Sequence, residues 1–400
     1  MDASRFFARR AAYLRASQVR ELLKWIGRDV ISFGGGVPDP ASFPIDELRR
    51  IIDEVLEARG SAALQYAPTE GIDELREELA RFVGRRGIRA GPENVLVTSG
   101  SQEALELLAR VFVDPGDVVV TENPTYLGAI QAFSVYEPSL VGVPMDEGGV
   151  RVDLLEERLR KLASSGARAK LCYVIPTCQN PTGRTAGLER RKALLELAEE
   201  HDLLIIEDDP YSYFYFEGPE PPPLKALDKE GRVIYVSTIS KVLAPGLRIG
   251  WVVAEEEVVE KLAIAKQGVT LQSPTLGMHV LLEALRRGLV DRQLPRLRQI
   301  YRVRRDAMLS ALEEHMPSGV SWTRPCGGMF VWLEAPPRVD MDALLPVALS
   351  VHKVAYVPGS GFHVDGGGRN TARLSFSYPP LEKIREGVAR LAKLIAEAAG

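Results

Sequence analysis

The 400-residue chain is short of the residues that organise extracellular or metal-stapled proteins, with three cysteines, five histidines and four asparagines. Cys172, Cys178 and Cys326 are odd in number and lack metal-ligand spacing. They argue against a disulfide framework and fit a reducing, cytoplasmic setting. No apolar run approaches the roughly 18 residues that span a bilayer. The basic N-terminus, residues 1–17, is not followed by an apolar stretch and a small-residue cleavage site, so a secretory signal is not expected. An excess of one charge is lacking too. Fifty Lys and Arg face 54 Asp and Glu, a net charge of -4, and neither nucleic acid nor membrane is an expected partner. The scarcity of asparagine and the 38 Arg against 12 Lys fit a thermophile, although GC-rich coding would also raise arginine.

What is present is an ordinary globular composition, 46% hydrophobic and 26% charged, with length for one large and one smaller domain. β-rich apolar runs occur at 94–100, 117–122, 170–176, 203–209, 232–238 and 248–254. Helical patterns lie between several of them, as at 101–112 and 187–201. Strands alternating with helices predict a mainly parallel sheet covered on both faces. Past about residue 290 the pattern changes to a long charged helix (291–316), strand-like 327–335, a helix near 340–351, strand-like 372–377 and a final helix, an α+β arrangement. The first 30 residues read as helical. The Pro-rich stretch 217–223 reads as a surface loop.

Ligands of open α/β sheets bind beyond the carboxyl ends of the strands, so the residues that follow each run carry the functional information. Ser99-Gly100-Ser101-Gln102-Glu103 opens a helix after the first run. Free amides there suit a phosphate, and an ordinary serine N-cap is the other reading. Tyr126 follows the second run, placed to stack on a flat ring or simply to pack. Gln179-Asn180-Pro181-Thr182-Gly183 follows the third, either a turn or an amide aimed at a ligand; Cys178 beside it reads as a plain buried thiol. Glu207-Asp208-Asp209-Pro210-Tyr211 ends the fourth. Carboxylates on a buried strand need a cation or a metal, and no histidine lies nearby to favour a metal. Thr238-Ile239-Ser240-Lys241 ends the fifth, with Arg248 seven residues on, a grouping that suggests an anion site.

Taken in order, these residues form a set. Asn180-Pro181-Thr182-Gly183, Asp208-x-x-Tyr211, Ser240-Lys241 with Pro-Gly-x-Arg248-x-Gly, and Arg373 in 372–377 stand 28, 33, 7 and 125 residues apart. Gly34-Gly35-Gly36-x-Pro38 and Gln65-Tyr66-x-Pro68-x-x-Gly71 extend the set over nearly the whole chain. The arrangement resembles the fold-type I pyridoxal-phosphate-dependent aminotransferases of class I/II. Residues 19–23, 64–71 and 327–332 narrow the likeness to the branch of 2-aminoadipate, kynurenine/aminoadipate and broad-specificity aminotransferases.

The resemblance implies an aspartate aminotransferase-like α/β fold. It comprises a large domain (46–289) with a mainly parallel seven-stranded sheet, a smaller α+β domain (290–400), and an N-terminal helical segment (1–45) that joins the small domain and covers the site. It implies pyridoxal 5'-phosphate as cofactor, alternating with pyridoxamine phosphate in a ping-pong transfer between an L-amino acid and a 2-oxo acid such as 2-oxoglutarate. Lys241 would hold the cofactor covalently and then act as the base, a dual task that suits an amine alone. Asp208 would keep the ring nitrogen protonated. Asn180 and Tyr211 would donate to the phenolic oxygen, and Tyr126 would stack on the ring. Ser101, Gln102, Thr238, Ser240 and Arg248 would hold the phosphate, the arginine fork matching its oxygens. Arg373 would clamp the substrate carboxylate, with Gly36 and Asn180 nearby. Arg20 would either meet a distal carboxylate or merely continue a cationic face with Arg9, Arg15 and Lys24. Tyr66 would cross to the phosphate of a partner subunit, implying a homodimer with shared sites. A β-lyase or decarboxylating synthase on the same fold is the alternative. A regulator using such a domain as a sensor would need an added DNA-binding region, which is not expected because the pattern begins almost at residue 1.

Overall fold

The structure, a computed structural model, describes residues 1–14 and 29–399. Of the N-terminal segment read as helical, the described part forms two short 3-10 turns, Ala3–Phe6 and Arg9–Tyr13. Arg20 lies outside the described residues.

The main sheet runs in the order Val95–Thr98, Gly250–Val253, Val233–Thr238, Leu204–Asp208, Ala169–Val174, Val118–Asn123, Ser139–Asp146 and Gly149–Val150. The four pairings from Val233–Thr238 across to Ser139–Asp146 are parallel. Gly250–Val253 is inserted antiparallel between its two neighbours. Seven strands thus make the mainly parallel sheet expected from the sequence, and the two-residue strand Gly149–Val150 folds back as an eighth at the edge. The central strands are Val- and Ile-rich and buried on both faces, which parallel sheets between helical layers require. Their covering includes Ser101–Phe112 and Leu188–Glu200.

Ser139–Asp146, the longest strand of the sheet, was not among the runs read from the sequence. It lies near the edge, and only Val143 along it is fully buried. A strand exposed on that scale lacks the continuous apolar signature by which its neighbours were found.

A second sheet, all antiparallel, has the order Ser321–Trp322, Phe330–Glu334, Thr371–Ser375 and Val357–Pro358. Helices Leu289–His315 and Leu381–Ala399 flank it in sequence. Ile31–Ser32 pairs in parallel with Val354–Ala355, bringing residues 34–37 to the C-terminal part of the chain. No helix among the described residues is long and apolar enough to cross a membrane.

Candidate active site

The carboxyl ends of the parallel strands open onto one cavity of about 630 Å³. Its wall carries Ser101, Gln102, Tyr126, Asn180, Asp208, Tyr211, Thr238, Ser240, Lys241 and Arg248 from the main sheet, with Gly36 and Arg373 from elsewhere. Of the described residues singled out for cofactor or substrate, all but Tyr66 are therefore brought together. Tyr66 is 77% exposed and does not line the cavity of its own chain.

One end of the cavity is built for an anion. Gly100 takes φ +85°, so the chain turns abruptly from its strand into helix Ser101–Phe112 and leaves the first amides of the helix facing outward. Glu103 accepts the Ser99 amide at 2.5 Å and braces the turn. Arg248, itself left-handed at φ 55°, folds back so that its guanidinium donates to the Ser99 carbonyl at 2.9 Å. A methyl group on Gly100 would lie 2.6 Å from that guanidinium, and one on Gly250 would lie 2.8 Å from the Ser101 amide nitrogen. Both positions need glycine because backbone and guanidinium approach so closely there. Thr238 and Ser240 place their hydroxyl oxygens 2.8 Å apart, with Thr238 donating to the Ile249 carbonyl. Gln102 donates to the Gly128 carbonyl at 2.8 Å, and the Tyr126 hydroxyl reaches Gln102 at 3.4 Å.

The middle holds the carboxylate. Tyr173, on the neighbouring strand, donates its hydroxyl to Asp208 Oδ2 at 2.7 Å, while Asp208 Oδ1 is buried without a hydrogen-bond partner among the described residues. Burial pushes the Asp208 carboxyl up to about 7; Tyr173 and Lys241 oppose that rise, and Asp209 adds to it. The crowding of three acids is relieved separately for each. Glu207 accepts the amides of Leu224 and Lys225 at 2.8 and 2.9 Å and is raised by burial to about 7. Asp209 pairs with Arg86 at 2.6 Å and accepts from Tyr235 and Ser212; burial acts to raise it, but Arg86 brings it below the ordinary range. No cluster of metal-ligating side chains occurs among the described residues.

Lys241 donates to the Gly36 carbonyl at 2.8 Å. Asn180 donates to the Tyr211 hydroxyl at 3.2 Å and accepts from Arg373 at 3.0 Å. Arg373 is fully buried, donates also to the Gly34 carbonyl at 2.9 Å, and lies over the Phe330 ring with 4.3 Å to its centroid. Burial lowers its guanidinium to about 10, against the attraction of Tyr211 and Tyr126. Its Nε has no partner among the described residues. A methyl group on Gly36 would meet Phe330 at 3.1 Å and Arg373 at 3.7 Å, so the glycine keeps the approach to the guanidinium open. Cys178 is buried and its thiol is pushed well up by burial, as suits an inert packing residue.

Tyr173, Phe330 and Glu122 were not singled out from the sequence. Tyr173 sits inside a strand run, six residues before Gln179 opens the third loop, and nothing in a strand pattern says which residue faces the neighbouring acid. Glu122 is fully buried, accepts Ile175 N–H at 3.1 Å and Gln179 at 3.0 Å, and is raised by burial to about 8.

An acceptor oxygen and a guanidinium N–H stand buried and unsatisfied among residues of one polar cavity, beside an anion cradle and a lysine. That donor set fits a flat heterocyclic cation bearing a phosphate, together with a carboxylate substrate.

Comparison with known proteins bears on this site. The family model described as "Aminotransferase class I and II" matches residues 28–391. The chain is 48% identical over 399 residues to aromatic-amino-acid aminotransferase 1 of Thermococcus litoralis, covering 99% of this chain and 95% of the relative. It superposes on Pyrococcus horikoshii kynurenine aminotransferase, solved in complex with PMP, with a TM-score of 0.96 at 46% identity, covering 100% of this chain and 99% of that one. LysN, the α-aminoadipate aminotransferase of Thermus thermophilus solved with N-(5'-phosphopyridoxyl)-L-leucine, gives 0.93 at 41% identity, with coverage of 100% and 99%.

Proposed function

The chain belongs to the class I and II aminotransferases, enzymes that transfer amino groups with pyridoxal 5'-phosphate, and from that premise we propose that its cavity exchanges an L-amino acid for a 2-oxo acid in two alternating half-reactions. When bound, pyridoxal phosphate supplies the electron sink that makes the α-C–H bond of an amino acid labile.

The residues divide the remaining work. Ser101, Gln102, Thr238, Ser240 and Arg248 hold the phosphate. Asp208 offers its open Oδ1 to the ring N–H and keeps that proton in place, while Tyr173 fixes the carboxylate plane. Asn180 and Tyr211 donate to the ring's anionic oxygen, and Tyr126 covers the ring face. Lys241 holds the cofactor covalently at rest. Its amine, when free, would move a proton at the substrate α-carbon. Arg373 grips the α-carboxylate through its fork and so presents the α-carbon to Lys241. The observation that carries this reading is that Lys241 and Asp208 open onto the same cavity, the carboxylate keeping one buried oxygen unpartnered.

For the substrate we infer a donor among 2-aminoadipate, glutamate, aromatic and leucine-type amino acids, with 2-oxoglutarate as acceptor. Phe330, Leu127, Val37 and Ile175 give the cavity an apolar wall suited to a carbon chain. Relatives are named for aromatic, kynurenine and aminoadipate substrates. Arg20 is the residue we assign to a distal carboxylate. The assembly we infer is a homodimer with shared sites, supported by the exposed Tyr66 and Leu64 and by the exposed Leu271, which adjoins the Gln272 that accepts the Ala67 amide.

The test is spectroscopic. Protein supplied with the coenzyme should absorb in the visible, and borohydride should fix an adduct on Lys241; absence of both would overturn the reading. Glutamate should bleach that absorbance without release of pyruvate or ammonia, and 2-oxoglutarate should restore it, whereas release of either product points to the lyase alternative. Single-turnover rates over an amino-acid panel identify the donor. Arg20→Ala should lose activity toward acidic donors alone, and equal loss for all donors would refute its role.

A further inference from the structure

Lys266 is a buried cation for which the reaction above has no use. It stands in the last turn of helix Glu256–Gln267 and is fully buried. Its ammonium spends three donors on three separate stretches of chain: the Thr69 carbonyl at 3.1 Å, the Val97 carbonyl at 3.0 Å and the Ser273 hydroxyl at 2.9 Å. Burying a lysine this way costs solvation, and burial lowers its ammonium to about 8 against the opposing pull of Glu103 and Glu70. Such an arrangement is expected where a definite placement of the chain is needed.

What it places is the stretch 65–71. This stretch joins helix Ile45–Ala63 to helix Asp73–Gly84 and contains the motif around Tyr66. It is held from one side by strand Val95–Thr98, where Val97 donates to the Glu70 carbonyl at 2.8 Å and Gly71 lies so close that a methyl group on it would fall 2.5 Å from the Val97 side chain. From the other side Gln272 accepts the Ala67 amide. Lys266 bridges the two sides. The phosphate cradle of the same chain has further braces, Glu103 and Arg248 on Ser99, but Lys266 also holds the Val97 carbonyl two residues before Ser99, so an effect within the same chain has to be separated by experiment. Tyr66, by contrast, is exposed and does not line the cavity of its own chain.

We propose that Lys266 is a positioning residue that aims Tyr66 at the cofactor phosphate of a second copy of this chain. The inference rests on the shared-site reading given above.

Mixed dimers of differently tagged chains test it, the readout being the pyridoxal phosphate concentration that half-saturates the borohydride-fixed adduct on Lys241. In the first pairing one chain carries Lys241→Ala and Lys266→Met and the other is native. The single fixing site then lies on the native chain and draws Tyr66 from the altered one. In the second pairing Lys241→Ala is on one chain and Lys266→Met on the other, so the fixing site lies on the Lys266→Met chain and draws Tyr66 from a chain with native Lys266. Against a reference pairing of Lys241→Ala with native chain, the first should need about tenfold more cofactor and the second less than about twofold more. Equal effects in both pairings, or a larger effect in the second, would overturn the proposal in favour of general packing or a role within the same chain. Tyr66→Phe in place of Lys266→Met in the first pairing checks the premise. If it has no effect while Lys266→Met has one, the shared-site reading has failed, and the proposal with it. If Tyr66→Phe weakens binding and Lys266→Met does not, the premise stands and the proposal alone has failed. Gln272→Met frees the Ala67 amide without touching a buried charge. It serves in the same two pairings if Lys266→Met chains do not fold, with a several-fold effect expected in the first and its absence overturning the proposal.

Discussion

Tyr173 holds one oxygen of Asp208 at 2.7 Å and leaves the other buried and open to the cavity. The hydroxyl stabilises the ionised carboxylate, so its removal raises the Asp208 carboxyl further above its already elevated position near 7. Cofactor pairing at the open oxygen needs the carboxylate form. In the native apoprotein, coenzyme affinity should therefore fall as pH drops through about 7. In Tyr173→Phe the same fall should occur at higher pH, with affinity at pH 7 reduced about tenfold. Titration of coenzyme binding by absorbance between pH 5.5 and 9 checks this, and an unshifted profile would remove Tyr173 from the site.

The same carboxyl makes the empty protein pH-sensitive in a defined direction. Its folded pKa, about 7, lies above the ordinary 3.8, so the folded state holds the proton more tightly. The contribution to stability is complete below about 3.8 and is lost as pH rises to about 7, beyond which a buried unpaired charge remains. Asp208→Asn removes that charge. Its apoprotein should melt at least about 2 °C above native apoprotein at pH 8, with the gap closing toward pH 4. Glu207 titrates in both proteins, while Glu122, which the Asp208 charge helps to raise, is relieved in the variant and acts in the same direction. The stabilised variant should lose about 10²–10³-fold in turnover. Differential scanning calorimetry of coenzyme-free samples decides the first half, and a lower melting point at pH 8 would contradict it.

Arg373 offers a second separation of shape from charge. Arg373→Lys keeps a cation but loses the fork and the stacking on Phe330. kcat/KM should fall about 10²-fold for every amino acid, acidic or aromatic, because all share the α-carboxylate. Coenzyme affinity should stay within about twofold, since the phosphate lies at the other end of the cavity. Loss confined to one class of donor would assign Arg373 to side-chain recognition.

Much of this was legible beforehand because the chemistry sits where the strand pattern ends. Asn180 and Lys241 follow buried strands, Asp208 ends one and Arg248 directly precedes another, and such buried apolar strands declare themselves in the sequence. Ser139–Asp146 did not, since a partly exposed strand near the edge has neither an unbroken apolar run nor clean alternation. Tyr173 was hidden for a different reason. Its strand was visible, but its partnership with Asp208 depends on parallel register, with Tyr173 opposite Ile206, which periodicity does not reveal. Nor does it disclose that Glu207 and Asp209 find separate partners in the amides at 224–225 and in Arg86. Lys266 reads as one more helical lysine until the loops it joins are folded around it.

Gly100 joins backbone conformation to cofactor affinity. Its φ of +85° is disfavoured for any residue with a side chain, and an added methyl group would sit 2.6 Å from the Arg248 guanidinium. Gly100→Ala therefore either moves Arg248 off the Ser99 carbonyl or twists the start of helix Ser101–Phe112. Both movements spoil the cradle at the phosphate end and spare Asp208 and Lys241. Coenzyme should bind at least about tenfold more weakly, while pyridoxal without its phosphate, already a weak ligand, should bind almost as it does to the native protein. Equilibrium titration with the two aldehydes measures the difference directly. An equal loss for both would mean that the substitution damages the whole cavity rather than its anion end.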